Sequence, residues 1–219
     1  MKETNLFFDL DGTLSDSAPG ITRSVAYALA KMGYAPLSEE ELFDFVGPPL
    51  AETFPQKCGM NIDETERAIR CYREYYETRG IFENEPYDGV GAMLKTLRNA
   101  GKKLILATSK PETFARMILE RYGFASDFAF IGGAGMNEKT RMRKDEVIRY
   151  CMDACGIDKA DVGTCLMIGD RSHDVQGAAA VGMKTVGVLY GYGSRKELED
   201  AGAVRLCETV KTLTACLLD

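Results

Sequence analysis

Apolar residues in this chain fall into two kinds of run that take turns along the sequence. Short continuous runs occur at Leu6-Phe7-Phe8, Leu104-Ile105-Leu106-Ala107, Phe128 to Ile131, Thr164 to Ile168 and Lys184 to Leu189. They have strand length and no polar alternation, which is the pattern of parallel strands covered on both faces. Between them the apolar spacing turns helical, at Met93, Leu94 and Leu97, at Phe114, Met117 and Ile118, from Lys144 to Tyr150, and at Ala178, Val181 and Met183. Strands alternating with helices predict an α/β fold with a doubly wound parallel sheet. The stretch after Leu189 reads as a loop and a terminal helix.

One long segment breaks this rhythm. From Ile21 to about Gly80 no strand pattern occurs, and Ile21, Val25, Leu29 and Met32 form one helical stripe, with others through Leu42, Phe43, Val46, Leu50, Phe54, Ile69, Tyr72 and Tyr76. Gly33, Gly47-Pro48-Pro49 and Gly59 divide it into several short helices. Linker-like residues flank it at Ser17-Ala18-Pro19-Gly20 and at 82–89. The expected organisation is a core domain from 1–16 and 87–219, interrupted by an all-helical domain at 17–86.

Composition narrows the function classes. At 219 residues and 45% hydrophobic content the chain can bury a sizeable core. No apolar run is long enough to span a bilayer, and the first strand begins too early for a signal peptide, so a cytoplasmic protein without membrane association is expected. Seven cysteines without C-x-x-C spacing suggest neither disulfides nor zinc, and Cys151 and Cys155, four apart on a helix, are expected to pack in the core. A net charge of −6, from 27 Lys and Arg against 33 Asp and Glu, opposes nucleic-acid binding. No internal repeat or required protein partner is evident.

Candidate chemistry gathers where strands end. In an open α/β sheet the ligand crevice forms outside the carboxyl ends of the strands. Asp9 and Asp11 leave the first strand on one side of the chain, and Gly12 permits a sharp exit and a close backbone approach to a ligand. Paired carboxylates with hard oxygen donors suit Mg2+. The calcium-loop alternative lacks its closing Glu. Thr108 and Ser109 end a second strand, Lys144 starts a helix, and Asp170 and Asp174 follow a third strand. Gly132-Gly133-Ala134-Gly135 reads as a Gly-rich loop that could cradle phosphate, although such runs are more often merely flexible and this one has neither the Walker lysine nor the dinucleotide fingerprint.

The string Leu6-Phe7-Phe8-Asp9-Leu10-Asp11-Gly12-Thr13-Leu14-Ser15-Asp16 resembles motif I of the haloacid dehalogenase (HAD) superfamily. Thr108-Ser109, Lys144 and Gly169-Asp170 match the later motifs in order and spacing. The helical block resembles that superfamily's C1 cap, of the kind found in relatives of phosphoglycolate phosphatase and β-phosphoglucomutase. Asp16-Ser17-Ala18-Pro19-Gly20 and Phe45-Val46-Gly47-Pro48-Pro49-Leu50 are similar to phosphoglycolate phosphatase-like sequences. The resemblance implies a Rossmann-like core and Mg2+-dependent hydrolysis of a small phosphorylated metabolite.

The roles it implies also make chemical sense. Asp9 is the nucleophile that forms an aspartyl-phosphate, and Asp11 is the general acid and base. Thr108, Ser109, Gly12 and Lys144 bind the phosphoryl group, with Lys144 neutralising its charge. Asp9, Asp11 and Asp170 hold the metal, Asp11 through its carbonyl, while Asp174 orients a metal-bound water or supports the ligands. Lys110, Lys139, Arg141 and Arg143 compete for the part of Lys144, which is preferred because the Asp-Glu-Val-Ile helix after it resembles the family's third motif. Arg171 is expected in a salt bridge, and His173 is expected to hydrogen-bond or face solvent.

Rival readings are a 5′-nucleotidase, suggested by Ile168-Gly169-Asp170-Arg171 and Gly191-Tyr192-Gly193-Ser194, a phosphosugar mutase, and a catalytically dead phospho-ligand scaffold. Ile21 stands where β-phosphoglucomutases have a hinge His, and the retained acids argue against a scaffold. Gly47-Pro48-Pro49, with Arg23 or Lys57, is the candidate specificity segment.

Overall fold

The computed structural model describes residues 3–136 and 140–219. They form two compact units, one running to Ser15 and resuming at Pro86, the other spanning Asp16–Glu85. Strand β1 (Asn5–Phe8) opens the first unit, and the short strands β2 (Ser15–Asp16) and β3 (Glu85–Pro86) lie where the chain passes between units.

Helices α1 (Ala18–Met32), α2 (Glu39–Phe43), α3 (Leu50–Cys58) and α4 (Ile62–Tyr76) build the second unit. Local chemistry delimits them. Pro19 sits in the first turn of α1, where a missing N–H costs nothing, and Gly33 ends that helix at φ 76°. Ser38 with Glu41 and Asn61 with Glu64 form reciprocal capping boxes at the starts of α2 and α4. Val25, Leu29, Phe54, Ala68 and Tyr76 are buried, and the rings of Phe45 and Phe54 meet edge to face with centroids 5.0 Å apart.

The first unit continues with α5 (Val90–Asn99), β4 (Lys103–Pro111), α6 (Glu112–Arg121), β5 (Phe130–Ala134), α7 (Lys144–Ala154), β6 (Cys165–Gly169), α8 (Ser172–Ala179), β7 (Lys184–Val188), α9 (Arg195–Ala201), β8 (Arg205–Cys207) and α10 (Val210–Leu218). Its six-stranded sheet has the order β5-β4-β1-β6-β7-β8, and every pairing is parallel. Leu6, Phe7 and Phe8 lie opposite Leu104, Ile105 and Leu106 on one side and Leu166, Met167 and Ile168 on the other. Alternation sends Phe7 into a buried cluster with Ile105, Met167, Val147, Ile148 and Ala178, beneath α7 and α8. Truncating such a phenylalanine costs about 3–5 kcal/mol.

Two expectations need correction. Gly132, Gly133 and Ala134 are strand, not loop: a Cβ on Gly132 would strike Cys151 Sγ, and one on Gly133 would strike the backbone at Lys110. These glycines serve close packing, so this run offers no phosphate cradle. The tail after Leu189 holds more than a loop and a helix, since α9 and the sixth strand, β8, precede α10. Three residues, two of them not fully buried, leave too little apolar signal for a strand to be read.

Candidate active site

The order of the sheet sets the place. From β1 the chain proceeds to β4 and β5 on one flank, then returns to β6 on the other, so β1 and β6 border the switch point of the sheet. Asp9 leaves β1 still in register, its N–H donating to the carbonyl of Ile168 at 2.9 Å. Asp170 leaves β6 beside it.

The turn after Asp9 is tightly wound. The N–H groups of Thr13, Leu14 and Ser15 converge on the carbonyl of Leu10 at 3.2, 2.9 and 3.1 Å. Gly12 turns the chain at φ 80°, and a Cβ there would run into the Asp170 carboxylate. Both the left-handed backbone and the close approach require glycine.

Asp170 is fully buried. Its Oδ2 accepts the Tyr192 N–H at 2.8 Å, and its Oδ1 accepts the Thr13 hydroxyl at 3.3 Å. Gly191 brings the loop after β7 against Gly12 and Asp170, while Tyr190 donates its hydroxyl to the carbonyl of Thr13 at 3.0 Å. Asp174, in the first turn of α8, accepts the N–H groups of Asp170 and Arg171 on Oδ2 at 3.2 and 3.1 Å. Arg171 makes the expected salt bridge, with Glu197 at 3.0 Å.

Lys144, the first residue of α7, is buried with its Nζ 2.9 Å from Asp9 Oδ1 and 2.7 Å from Asp174 Oδ1. It also donates to the carbonyl of Ala107 at 3.1 Å. Of its competitors, Arg141 bonds the Gly133 carbonyl, Arg143 pairs with Asp145, and Lys139 lies outside the described residues. Lys110 also reaches the cluster. Its Nζ donates to both carboxylate oxygens of Asp11, at 2.9 and 2.8 Å. Lys110 lies two residues after Thr108 on β4, where the pairing with β5 shifts register, so period-two alternation alone does not place it at the site. Thr108 is buried and its hydroxyl accepts the Lys110 N–H at 3.2 Å, while Ser109 is half-buried.

Four buried carboxylates, Asp9, Asp11, Asp170 and Asp174, thus face two buried ammonium groups, Lys110 and Lys144. The charge imbalance appears in the proton affinities. Burial raises Asp9 to about 7 against the pull of Lys144, with Asp174 and Asp11 adding to the rise. Burial and the charge of Asp174 push Asp170 well above the carboxylate range. Burial works against ionised Asp174, but Lys144, together with His173 and the Arg171 N–H, holds that carboxyl below its ordinary value. Burial also opposes charge on Lys144, yet Asp174 and Asp9 raise its affinity for the proton.

This surplus of hard oxygen donors fits a divalent cation such as Mg2+. Ligand atoms of Asp9, His173 and Asp174 lie within 4.8 Å of one another. The side chains of the anticipated trio, Asp9, Asp11 and Asp170, differ in their commitments, because Lys110 engages Asp11 and Thr13 with Tyr192 engage Asp170. Burial pushes His173 down to about 4, leaving its ring neutral near pH 7.

In the other unit, Arg23 pairs with Glu83 at 3.2 Å and Lys57 with Asp44. Gly47-Pro48-Pro49 leads into α3.

Residues 6–188 match the family model described as haloacid dehalogenase-like hydrolase. The chain is 39% identical to a 5′-nucleotidase of Pseudomonas aeruginosa over 99% of its own length and 96% of the relative's. It is 30% identical to phosphoglycolate phosphatase of Neisseria gonorrhoeae, covering 90% of this chain and 85% of that one. The crystal structure of a predicted phosphatase from Clostridium acetobutylicum superposes with a TM-score of 0.93 at 41% identity, covering 99% of this chain and 98% of the other.

Proposed function

From a chain that belongs to the haloacid dehalogenase-like hydrolases, we propose a Mg2+-dependent phosphatase that hydrolyses small phosphomonoesters through an aspartyl-phosphate on Asp9. The observation that carries this reading is a buried carboxylate at the switch point of the sheet with an ammonium group 2.9 Å from one of its oxygens. Asp9 attacks phosphorus, and the bond to the leaving oxygen breaks as Asp11 delivers a proton to it. Asp11 then takes a proton from the water that cleaves the acyl phosphate. Lys144 stabilises negative charge on the transferring oxygens, with Thr108 and the Ser109 backbone as further donors and Gly12 allowing close approach. Asp9, Asp170 and the main-chain carbonyl of Asp11 would hold Mg2+, with Asp174 supporting them. When bound, that ion withdraws charge from the phosphoryl oxygens and offsets the repulsion among the carboxylates.

We assign selection of the leaving group to an inserted cap, 17–86, with phosphoglycolate as one candidate substrate and the cytoplasm as the site of action. Nucleoside 5′-monophosphates are the second reading, favoured by the near full-length likeness to the Pseudomonas 5′-nucleotidase. Phosphate release from phosphoglycolate, nucleoside monophosphates, sugar phosphates and pyrophosphate, with Mg2+ and with EDTA, tests both. Mg2+-dependent release that disappears in Asp9→Asn is expected. Full turnover by that variant removes the nucleophile, and selectivity for nucleotides promotes the second reading.

A further inference from the structure

We propose that Lys110 is a positioning residue for Asp11, fixing the orientation of the acid/base carboxylate on the sheet edge. This rests on the acid/base role given to Asp11 above. Asp11 sits immediately before the tight turn at Gly12, where the orientation of its carboxylate depends on a partner. Lys110 supplies that constraint from a different strand: one nitrogen donates to both oxygens at 2.9 and 2.8 Å, and both residues are more than nine-tenths buried. A two-oxygen grip restricts rotation about the carboxylate bond in a way that a single contact does not.

The base of Lys110 is itself anchored. It lies in β4, its N–H donates to the buried Thr108 hydroxyl, and β5 packs so closely that a Cβ on Gly133 would strike the Lys110 carbonyl. Lys144 is committed elsewhere, to Asp9 and Asp174, so the two lysines divide the cluster between them. One ammonium faces the attacking carboxylate and the other orients the proton donor.

Proton delivery matters more as the leaving oxygen becomes more basic. The loss of a group that orients the donor therefore falls harder on phenyl phosphate than on p-nitrophenyl phosphate, two probes of nearly equal size. The measurement is kcat/KM, which reports on steps up to enzyme phosphorylation, for wild type, Lys110→Met, Asp11→Asn and the double variant. We expect Lys110→Met to lose at least about ten-fold more with phenyl phosphate than with the nitro compound, within the roughly 10²–10⁴-fold ascribed to general acid catalysis. Lys110→Arg should recover part of the difference, and the double variant should be no worse than Asp11→Asn.

Equal losses on both probes through a raised KM make Lys110 a phosphate ligand and overturn the proposal. So does a double variant whose losses multiply. If Asp11→Asn itself shows no dependence on the leaving group, the acid/base reading of Asp11 fails instead. Should Lys110→Met not fold, because it leaves a buried carboxylate without its cation, the double variant removes both charges. Its comparison with Asp11→Asn and the response of Lys110→Arg still decide the matter.

Discussion

Lys144 Nζ stands 2.9 Å from Asp9 Oδ1, two side chains brought together from the start of α7 and the end of β1 with almost no solvent access. The same nitrogen reaches Asp174 Oδ1 at 2.7 Å. One cation therefore separates two buried anions, and removing it leaves them facing each other in a poorly polarisable interior. Lys144→Met is expected to destabilise the fold by about 3–5 kcal/mol, the range for breaking a buried ion pair. Equilibrium urea unfolding measures this, and Asp174→Asn on that background should return part of the loss. A deficit below about 1 kcal/mol would mean that the pairing is not maintained in solution.

The proton affinity of Asp9 links stability to pH and to metal. Its folded value is about 7 against an ordinary value of 3.8. Between these limits the folded chain keeps a proton that the unfolded chain releases, so raising the pH through this window destabilises the metal-free protein. A divalent cation bound by the ionised carboxylates opposes that effect. Mg2+ is expected to raise the melting temperature more at pH 8 than at pH 5, relative to EDTA, and equal gains at both would count against carboxylate ligation.

Gly12→Ala probes the turn that brings the first acids to Asp170. A left-handed alanine costs about 1–2 kcal/mol, and here its methyl group also collides with the Asp170 carboxylate. We expect a loss of at least about 2 kcal/mol in stability and a weakened response to Mg2+. Thermal unfolding within a degree of wild type would show that the close approach of Gly12 to Asp170 is wrong.

Cysteine accessibility offers a test remote from the carboxylates. Cys151 is buried and donates to the carbonyl of Leu106 at 3.3 Å, and burial pushes its thiol up to about 12. Thiolate is the form that alkylates, so iodoacetamide at pH 8 should modify the partly exposed Cys58 and Cys71 well before Cys151 in the native protein. Peptide mass mapping reads the order. Early labelling of Cys151 would contradict its packing beneath the sheet.

Local periodicity encodes the strands and the short helices of this chain. Leu6-Phe7-Phe8 and Leu104 to Ala107 read as covered strands because parallel strands bury both faces, and the short helices from Ala18 to Tyr76 were legible in their spacing and their Gly and Pro breaks. Asp9, Asp11, Thr108 and Asp170 could be singled out because open sheets expose function at strand ends. Tertiary structure alone decided strand order and partnership. Lys110 chose Asp11 across 99 residues of sequence, Thr13 and the Tyr192 backbone chose Asp170, and Gly132-Gly133 became strand because Cys151 and the Lys110 backbone press against them. Period and composition act over a few residues, whereas a buried charge finds its partner through space, and that distance is set only when the sheet has assembled.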